Sequence, residues 1–374
     1  MFGSSWRVAR VAGIEIRVDA SWTLIALLVG YSLYLRFTTL HPDLAGVRGA
    51  ILAVAAAALF FASVLLHELA HAIVSTRRGI RVKGITLFLF GGVTEARVES
   101  RRAEDELAIA VVGPLTSFAL AGVLWAVTAL VGPRGAIGGA TGYLAWVNLA
   151  LGAFNLVPGF PLDGGRVLRA LLWRATGSYA RATQVATRLG RAVGIALIAL
   201  GVAAVLAGDV GGLWIAAIGW FLLQAANASY AQLQVQRVLR GVEAGDVMTR
   251  DLVTLPPELA LDVAVDRYFL RVDHSAFPVV GADGTLLGLL RLAAVRGTPA
   301  GDRASLRVAD VMAPLDRVPV VGPHEPLDRV LDRFQEGEVH RVLVVDATGS
   351  LAGMVTPRDV SRFLQRSTDL GLRR

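Results

Sequence analysis

Two histidines and a glutamate carry the strongest chemical signal in this sequence. His67-Glu68-Leu69-Ala70-His71 is a His-Glu-x-x-His motif, found once in a chain with six histidines. On an α-helix, positions i and i+4 share a face, so His67 and His71 can hold one metal ion between them. Glu68 projects beside them and can act as general base on a water at that metal. The competing reading is a pair of histidines closing a helix end near an interface. Three ionisable residues ending a long apolar run are costly without a function, which favours the metal. The chain has no cysteine, so disulfides and thiolate ligands are excluded, and any metal must use His and carboxylate.

A catalytic zinc takes three protein ligands and keeps one position open for water. The segment Asn155-Leu156-Val157-Pro158-Gly159-Phe160-Pro161-Leu162-Asp163-Gly164-Gly165-Arg166 offers Asp163 as the third. Pro158, Gly159 and Pro161 break the helix just before it. Broken backbone at membrane depth is tolerated where protein buries it or where it lines a wet cavity. Taken alone, Asp163 reads more readily as the N-cap of a helix over 164–173. Its depth in the membrane argues for a ligand.

That depth follows from the elements around it. The chain of 374 residues is 54% hydrophobic and only 18% charged, with a mean hydropathy of +0.57. Soluble proteins carry roughly 25% charged residues. The excess lies in residues 1–235, whereas 242–374 reads as an ordinary soluble α/β region. Six apolar stretches, near 20–39, 49–74, 106–131, 140–163, 190–207 and 211–233, approach the ~20 residues a membrane helix needs. No compact apolar core with a small-residue cleavage site precedes them, so the first run is expected to stay as an anchor.

Arginine and lysine cluster on alternate sides of these spans. One side holds Arg7, Arg10 and Arg17, then Arg77, Arg78, Arg81, Lys83, Arg97, Arg101 and Arg102, then Arg166, Arg169, Arg174, Arg181, Arg188 and Arg191. The other holds only Arg36, Arg48 and Arg134. The positive-inside rule puts both termini and the soluble tail in the cytoplasm, as an even number of spans requires. The net charge of +7 therefore reports membrane orientation, and no nucleic-acid partner is expected. Spans two and four both run inward, so His67, His71 and Asp163 all sit near inner ends, at similar depth. Leu87 to Val93 is apolar but too short to cross, and reads equally as a strand pair, a re-entrant segment or a surface loop.

With its downstream Asn155, Pro158 and Leu162-Asp163-Gly164, the His67–His71 motif resembles the site-2 proteases, the intramembrane zinc metalloproteases. The closest subgroup carries a C-terminal pair of cystathionine-β-synthase (CBS) domains. The resemblance covers nearly the whole chain. It implies one Zn2+ per chain on His67, His71 and Asp163, with Glu68 as general base on the zinc-bound water. The substrate would be a membrane-anchored protein, cut in or near its transmembrane segment. Spans two to four would form the core, and spans one, five and six the periphery. Gly91 and Gly92 would belong to a membrane-associated strand element whose edge pairs with unwound substrate. Asn155 would contact substrate or the oxyanion. Asn148, seven residues earlier on the same side, reads equally as an interhelical hydrogen bond.

The tail repeats itself. Asp246-Val247-Met248 returns as Asp310-Val311-Met312, Ser275 to Val280 as His340 to Val345, and Gly284 to Gly288 as Gly349 to Gly353. Each copy reads as strand, helix, strand, strand, helix. This resembles a tandem CBS pair, which implies adenine-nucleotide binding and association into a homodimer. Thr356 and Asp359 fit the pair's ribose–phosphate contact, but Thr-x-x-Asp also works as a helix cap. At the same offset the first copy has Arg291 and Ala294 instead. His274 and His340 occupy nearly the same place in both copies and read as structural.

The expected fold is thus a polytopic α-helical membrane protein with about six spans and a short β element, joined to a cytoplasmic α/β CBS pair. The division is 1–240 for the protease, 242–300 for the first CBS domain and 301–374 for the second. The setting is a bacterial-type plasma membrane. The alternative is a nucleotide-sensing transporter or channel gated by CBS domains. Such a protein would often show paired broken spans, and only the fourth is clearly broken here.

Overall fold

A computed structural model describes residues 5–80, 82–89, 91–96, 102–239, 241–272, 274–336 and 341–370. His340, Arg81, Arg97 and Arg101 lie outside the described residues. The chain divides into two compact units, 1–231 and 232–374.

The first unit opens with a β-hairpin, β1 (Ser5–Val11) and β2 (Ile14–Asp19), an element beyond the expected spans and short β element. Its signals are local. Ile14, Ile16 and Val18 alternate with Glu15, Arg17 and Asp19, the period of a half-buried strand, and Ile14 and Ile16 are buried. Ala12 and Gly13 turn the chain with φ of 50° and 82°, as a tight two-residue hairpin turn demands. The Asp19 side chain then accepts from the Ser21 N–H and caps α1 (Ala20–Leu40). A short link leads to α2 (Val47–Arg77), which ends against β3 (Val82–Phe88) and β4 (Gly91–Ala96). The short apolar segment at 87–93 therefore belongs to a strand pair, with Leu87 and Phe88 ending β3 and Gly91 and Gly92 opening β4. The sheet order is β1-β2-β3-β4, with β2 and β3 parallel and the other pairs antiparallel.

Next come α3 (Ala103–Val131), α4 (Ala136–Asn155), α5 (Asp163–Thr176), α6 (Tyr179–Leu206) and α7 (Gly212–Leu239). Among the described residues six helices are long and apolar enough to cross a membrane: α1, α2, α3, α4, α6 and residues 212–235 of α7. Their outward faces are apolar, as at Leu27 (69% exposed), Val123 (62%) and Leu200 (58%). Contiguous apolar surface of this kind needs lipid, and the protein is a multi-pass membrane protein. The fourth span stops at Asn155, earlier than the expected 163. Residues 156–162 form an irregular loop, and α5 is a separate, shorter helix.

That loop is gripped by α6. Phe160 N donates to the Ala186 carbonyl at 3.1 Å. Gly159 and Gly190 meet backbone to backbone, so that a Cβ on Gly190 would fall on the Phe160 carbonyl. The fifth span stays outside the core of spans two to four, as the resemblance implied, while the N-terminal half of α6 forms the floor of the loop that leads to Asp163.

The second unit contains α8 (Ala244–Val247), α9 (Leu261–Ala264), β5 (Ala276–Val280), β6 (Leu286–Arg291) and α10 (Leu292–Gly297). The second repeat follows with α11 (Val308–Val311), β7 (Ala313–Pro314), β8 (Val320–Val321), α12 (Leu327–Glu336), β9 (Val342–Val345), β10 (Leu351–Val355) and α13 (Pro357–Asp369). The first strand expected in each copy shrinks to two-residue β8 and to a single bridge from Leu255 to Val279. The repeated Asp-Val-Met has a shared cause. Asp246 accepts from the Glu243 N–H and Asp310 from the Arg307 N–H, each closing the first turn of a short helix. Each methionine then crosses to the other repeat. Met248 packs on Gly353, and Met312 on Gly288.

Because Gly190 admits the loop, Gly190→Val should destabilise the purified protein by about 1–3 kcal/mol, the usual cost of overpacking. A lowered thermal midpoint in detergent checks this.

Candidate metal centre

The site is built where α2 meets α3 and α5. α2 stays regular through His67 and His71, and both rings are buried. Asp163 is the first residue of α5, with Leu162 as its N-cap. Its Oδ2 turns toward α2, 3.1 Å from His67 Nε2 and 3.0 Å from His71 Nε2. The two Nε2 atoms are 3.2 Å apart. Among the described residues this is the group whose ligand atoms could share one metal ion.

Hydrogen bonds behind the rings decide which atoms face the centre. His71 Nδ1 lies 2.6 Å from the Ile109 carbonyl, which can only accept, so that nitrogen carries the hydrogen. The Nε2 of a neutral His71 then presents a lone pair. His67 Nδ1 sits 2.9 Å from Ser117 Oγ, which can accept in the same way. Three acceptor atoms within 3.0–3.2 Å of one another repel unless a cation lies among them. A proton would relieve one contact, whereas a metal ion relieves all three. Tetrahedral zinc, with ligands at about 2.0–2.1 Å, sets its ligand atoms roughly 3.3 Å apart. The donor set therefore fits zinc.

Two glycines complete the cradle. A Cβ on Gly113 of α3 would come within 2.6 Å of His67 Nε2 and still closer to His71 Nε2. A side chain there would occupy the centre itself. A Cβ on Gly92 of β4 would come within 2.5 Å of Glu68 Cγ and 3.3 Å of its Oε1. Glu68 thus lies directly against the end strand of the sheet. Gly91, at φ 131°, opens that strand.

The other residues singled out in the sequence fall differently. Asn155 ends α4 half-buried, and its amide donates to the Leu151 carbonyl of its own helix. Asn148 is buried and donates to Ser63 Oγ on α2, an interhelical bond. In the second unit, Asp359 Oδ2 accepts from the Thr356 N–H and hydroxyl, and Oδ1 accepts from Thr249 Oγ at 2.9 Å. The helix-cap role of Thr356 and Asp359 is therefore realised, with Thr249 added. His274 packs beside Phe277, a structural contact. Ile109, Gly113 and Ser117 escaped the reading of the sequence. Their spacing of four along α3 was the available signal.

Known proteins resemble this chain along most of its length. The Peptidase family M50 description matches residues 55–141 and 135–197, and the CBS domain matches 244–297 and 308–366. Rip3 of Mycobacterium tuberculosis, named as a zinc metalloprotease, is 40% identical over 96% of this chain and 92% of its own length. The Synechocystis protein sll0528, named likewise, is 34% identical over 96% of both chains. The solved site-2 protease of Methanocaldococcus jannaschii is 27% identical, covering 61% of this chain and 95% of that one, with a TM-score of 0.43.

Asp163→Ala and Gly113→Ala should each lower zinc affinity by at least about 10–100-fold, the first by removing a donor and the second by filling the centre. Elemental analysis of the purified protein after mild chelation checks both.

Proposed function

This chain belongs to peptidase family M50 and is a zinc metalloprotease of the site-2 type, and we propose that it hydrolyses a peptide bond in or near a transmembrane segment of a membrane-anchored protein. The observation that carries this reading is the meeting of His67 Nε2, His71 Nε2 and Asp163 Oδ2 inside a bundle of membrane helices. The same meeting accounts for the broken fourth span, the feature a gated transporter would otherwise use. Arginine placement sets both termini and the CBS pair on the cytoplasmic side. The functional division is 1–240 for the protease, with 242–300 and 301–374 as the two CBS halves.

Zinc on the three donors would supply Lewis acidity for the scissile carbonyl and acidify the attacking water. The chain's own residues do the rest. Glu68 takes the proton of the attacking water and delivers it to the leaving amine. The Ile109 carbonyl holds His71 in the tautomer that turns the Nε2 lone pair inward, and Ser117 Oγ orients the ring of His67. A helical substrate hides its carbonyls in internal hydrogen bonds and must unwind locally. β4 ends the sheet and runs past Glu68, so an unwound segment adding to its edge would lie beside the base. Asn155 carries two amide donors. The one directed at Leu151 fixes the side chain, and the other would reach the substrate or its oxyanion.

The CBS pair would bind adenine nucleotide at Thr356 and Asp359. Because Thr249 already occupies Asp359 Oδ1, the ribose would have to displace it. The segment carrying Thr249 would then register the ligand.

Glu68→Gln should keep its zinc while cleavage falls by about 10²–10⁴-fold, the share of general acid–base catalysis. Uncut membrane proteins should accumulate or co-purify with it. Identical membrane fragments beside the wild type would sink the protease reading.

Millimolar ATP or AMP should raise the thermal midpoint of the intact protein, and Asp359→Ala should abolish the shift. No shift with either nucleotide would leave the pair as a scaffold.

A further inference from the structure

Six residues beyond Asp163, α5 buries an ion pair that the hydrolytic chemistry does not use. Glu106, in the first turn of α3, is 0% exposed, and Arg169 of α5 is 9% exposed. Arg169 Nε donates to Glu106 Oε1 at 2.6 Å, and Nη2 donates to the same oxygen. Its Nη1 donates to the Tyr179 hydroxyl, the first residue of α6, at 2.7 Å. The guanidinium also lies 4.7 Å from the ring centroids of both Phe160 and Tyr179. One planar group therefore ties together α3, α5, the broken loop and the start of α6.

Burying two charges is a poor way to gain stability, since apolar residues of the same size often serve as well or better. Buried pairs are best attested as devices that fix register. Here the register matters at short range. Glu106 lies one turn before Ile109, whose carbonyl holds His71, and two turns before Gly113, which lines the centre. Arg169 stands on the helix that Asp163 begins. The planar, forked geometry of Arg169 fixes direction as well as distance, which a lysine cannot do. A second contact between the same helices, Arg174 to Glu104 at 4.0 Å, is solvent-facing and holds little.

We propose that the Glu106–Arg169 pair is a positioning clamp that sets α5 against α3 so that the Asp163 carboxylate meets His67 and His71 at metal-binding distance. This rests on the metal reading of those three residues.

Cobalt(II) substitution of the full-length protein in detergent tests it, because the visible spectrum reports coordination geometry independently of how much protein is folded. Chelator competition measures affinity on the same samples, and thermal unfolding is followed in parallel. The double variant Glu106→Leu/Arg169→Met, with no charge left unpaired, should unfold near the wild-type temperature. Its cobalt affinity should fall by about 10–100-fold, with an altered spectrum, as for loss of a group that orients a ligand. Arg169→Lys, which keeps the charge but not the fork, should fall between the two. A folded double variant with wild-type spectrum and affinity overturns the clamp. If the double variant does not fold, an Arg169→Lys protein indistinguishable from wild type overturns it equally. Wild-type protein that binds cobalt no better than Asp163→Ala overturns the metal reading, and the clamp with it.

Discussion

Three acceptor atoms held about 3 Å apart in a low-dielectric interior impose the main constraint on this molecule. Left without a cation they repel, and every neighbouring element is arranged to hold them there regardless. α2 supplies two of them from one face. α5 supplies the third because the chain leaves its helix at Asn155 and re-enters one at Asp163. α3 contributes no ligand, yet it fixes the imidazoles through Ile109 and Ser117 and leaves room at Gly113. The hydrophobic effect cannot assemble such a centre in a bilayer, where lipid is as apolar as leucine. Close backbone approach and buried polar contacts do it instead: Gly159 on Gly190, Phe160 on Ala186, Asn148 on Ser63.

The parts of this arrangement that were legible in the sequence are those with a fixed local period or a forbidden residue. His67 and His71 follow from 3.6 residues per turn, and Asp163 from the break at Pro158, Gly159 and Pro161 together with its depth beside the two histidines. The six spans follow from length and hydropathy. The N-terminal hairpin is hard to see in the sequence because the charges at Arg7, Arg10 and Arg17 mask the two-residue alternation of Ile14, Ile16 and Val18. Glu106 and Arg169 could not be paired from the sequence. They lie 63 residues apart, and no periodicity links side chains on different helices. The Ile109 contribution is a backbone carbonyl, which any residue would present. The grip of α6 on the loop is not visible in the sequence, because Gly190 reads as a neutral small residue until its neighbour is known.

Asp359 shows how one pattern can satisfy two readings. Its carboxylate caps α13 through Thr356, as a Thr-x-x-Asp sequence should, and also accepts from Thr249, 110 residues earlier. The second partner makes the residue more than a local cap. It places the side chain at a junction between the entrance to the first repeat and the last helix of the second.

The crossed methionines have a consequence for how such a tail can change over time. Met248 fills the notch at Gly353, and Met312 fills the notch at Gly288, so each repeat carries the plug for the other. A deletion that trimmed either copy would leave one plug stranded and one notch open, exposing thioether and strand backbone together. Recombination that exchanged a single copy would have to bring a matching glycine and methionine at once. The two copies therefore make one packing unit, although the sequence reads as two.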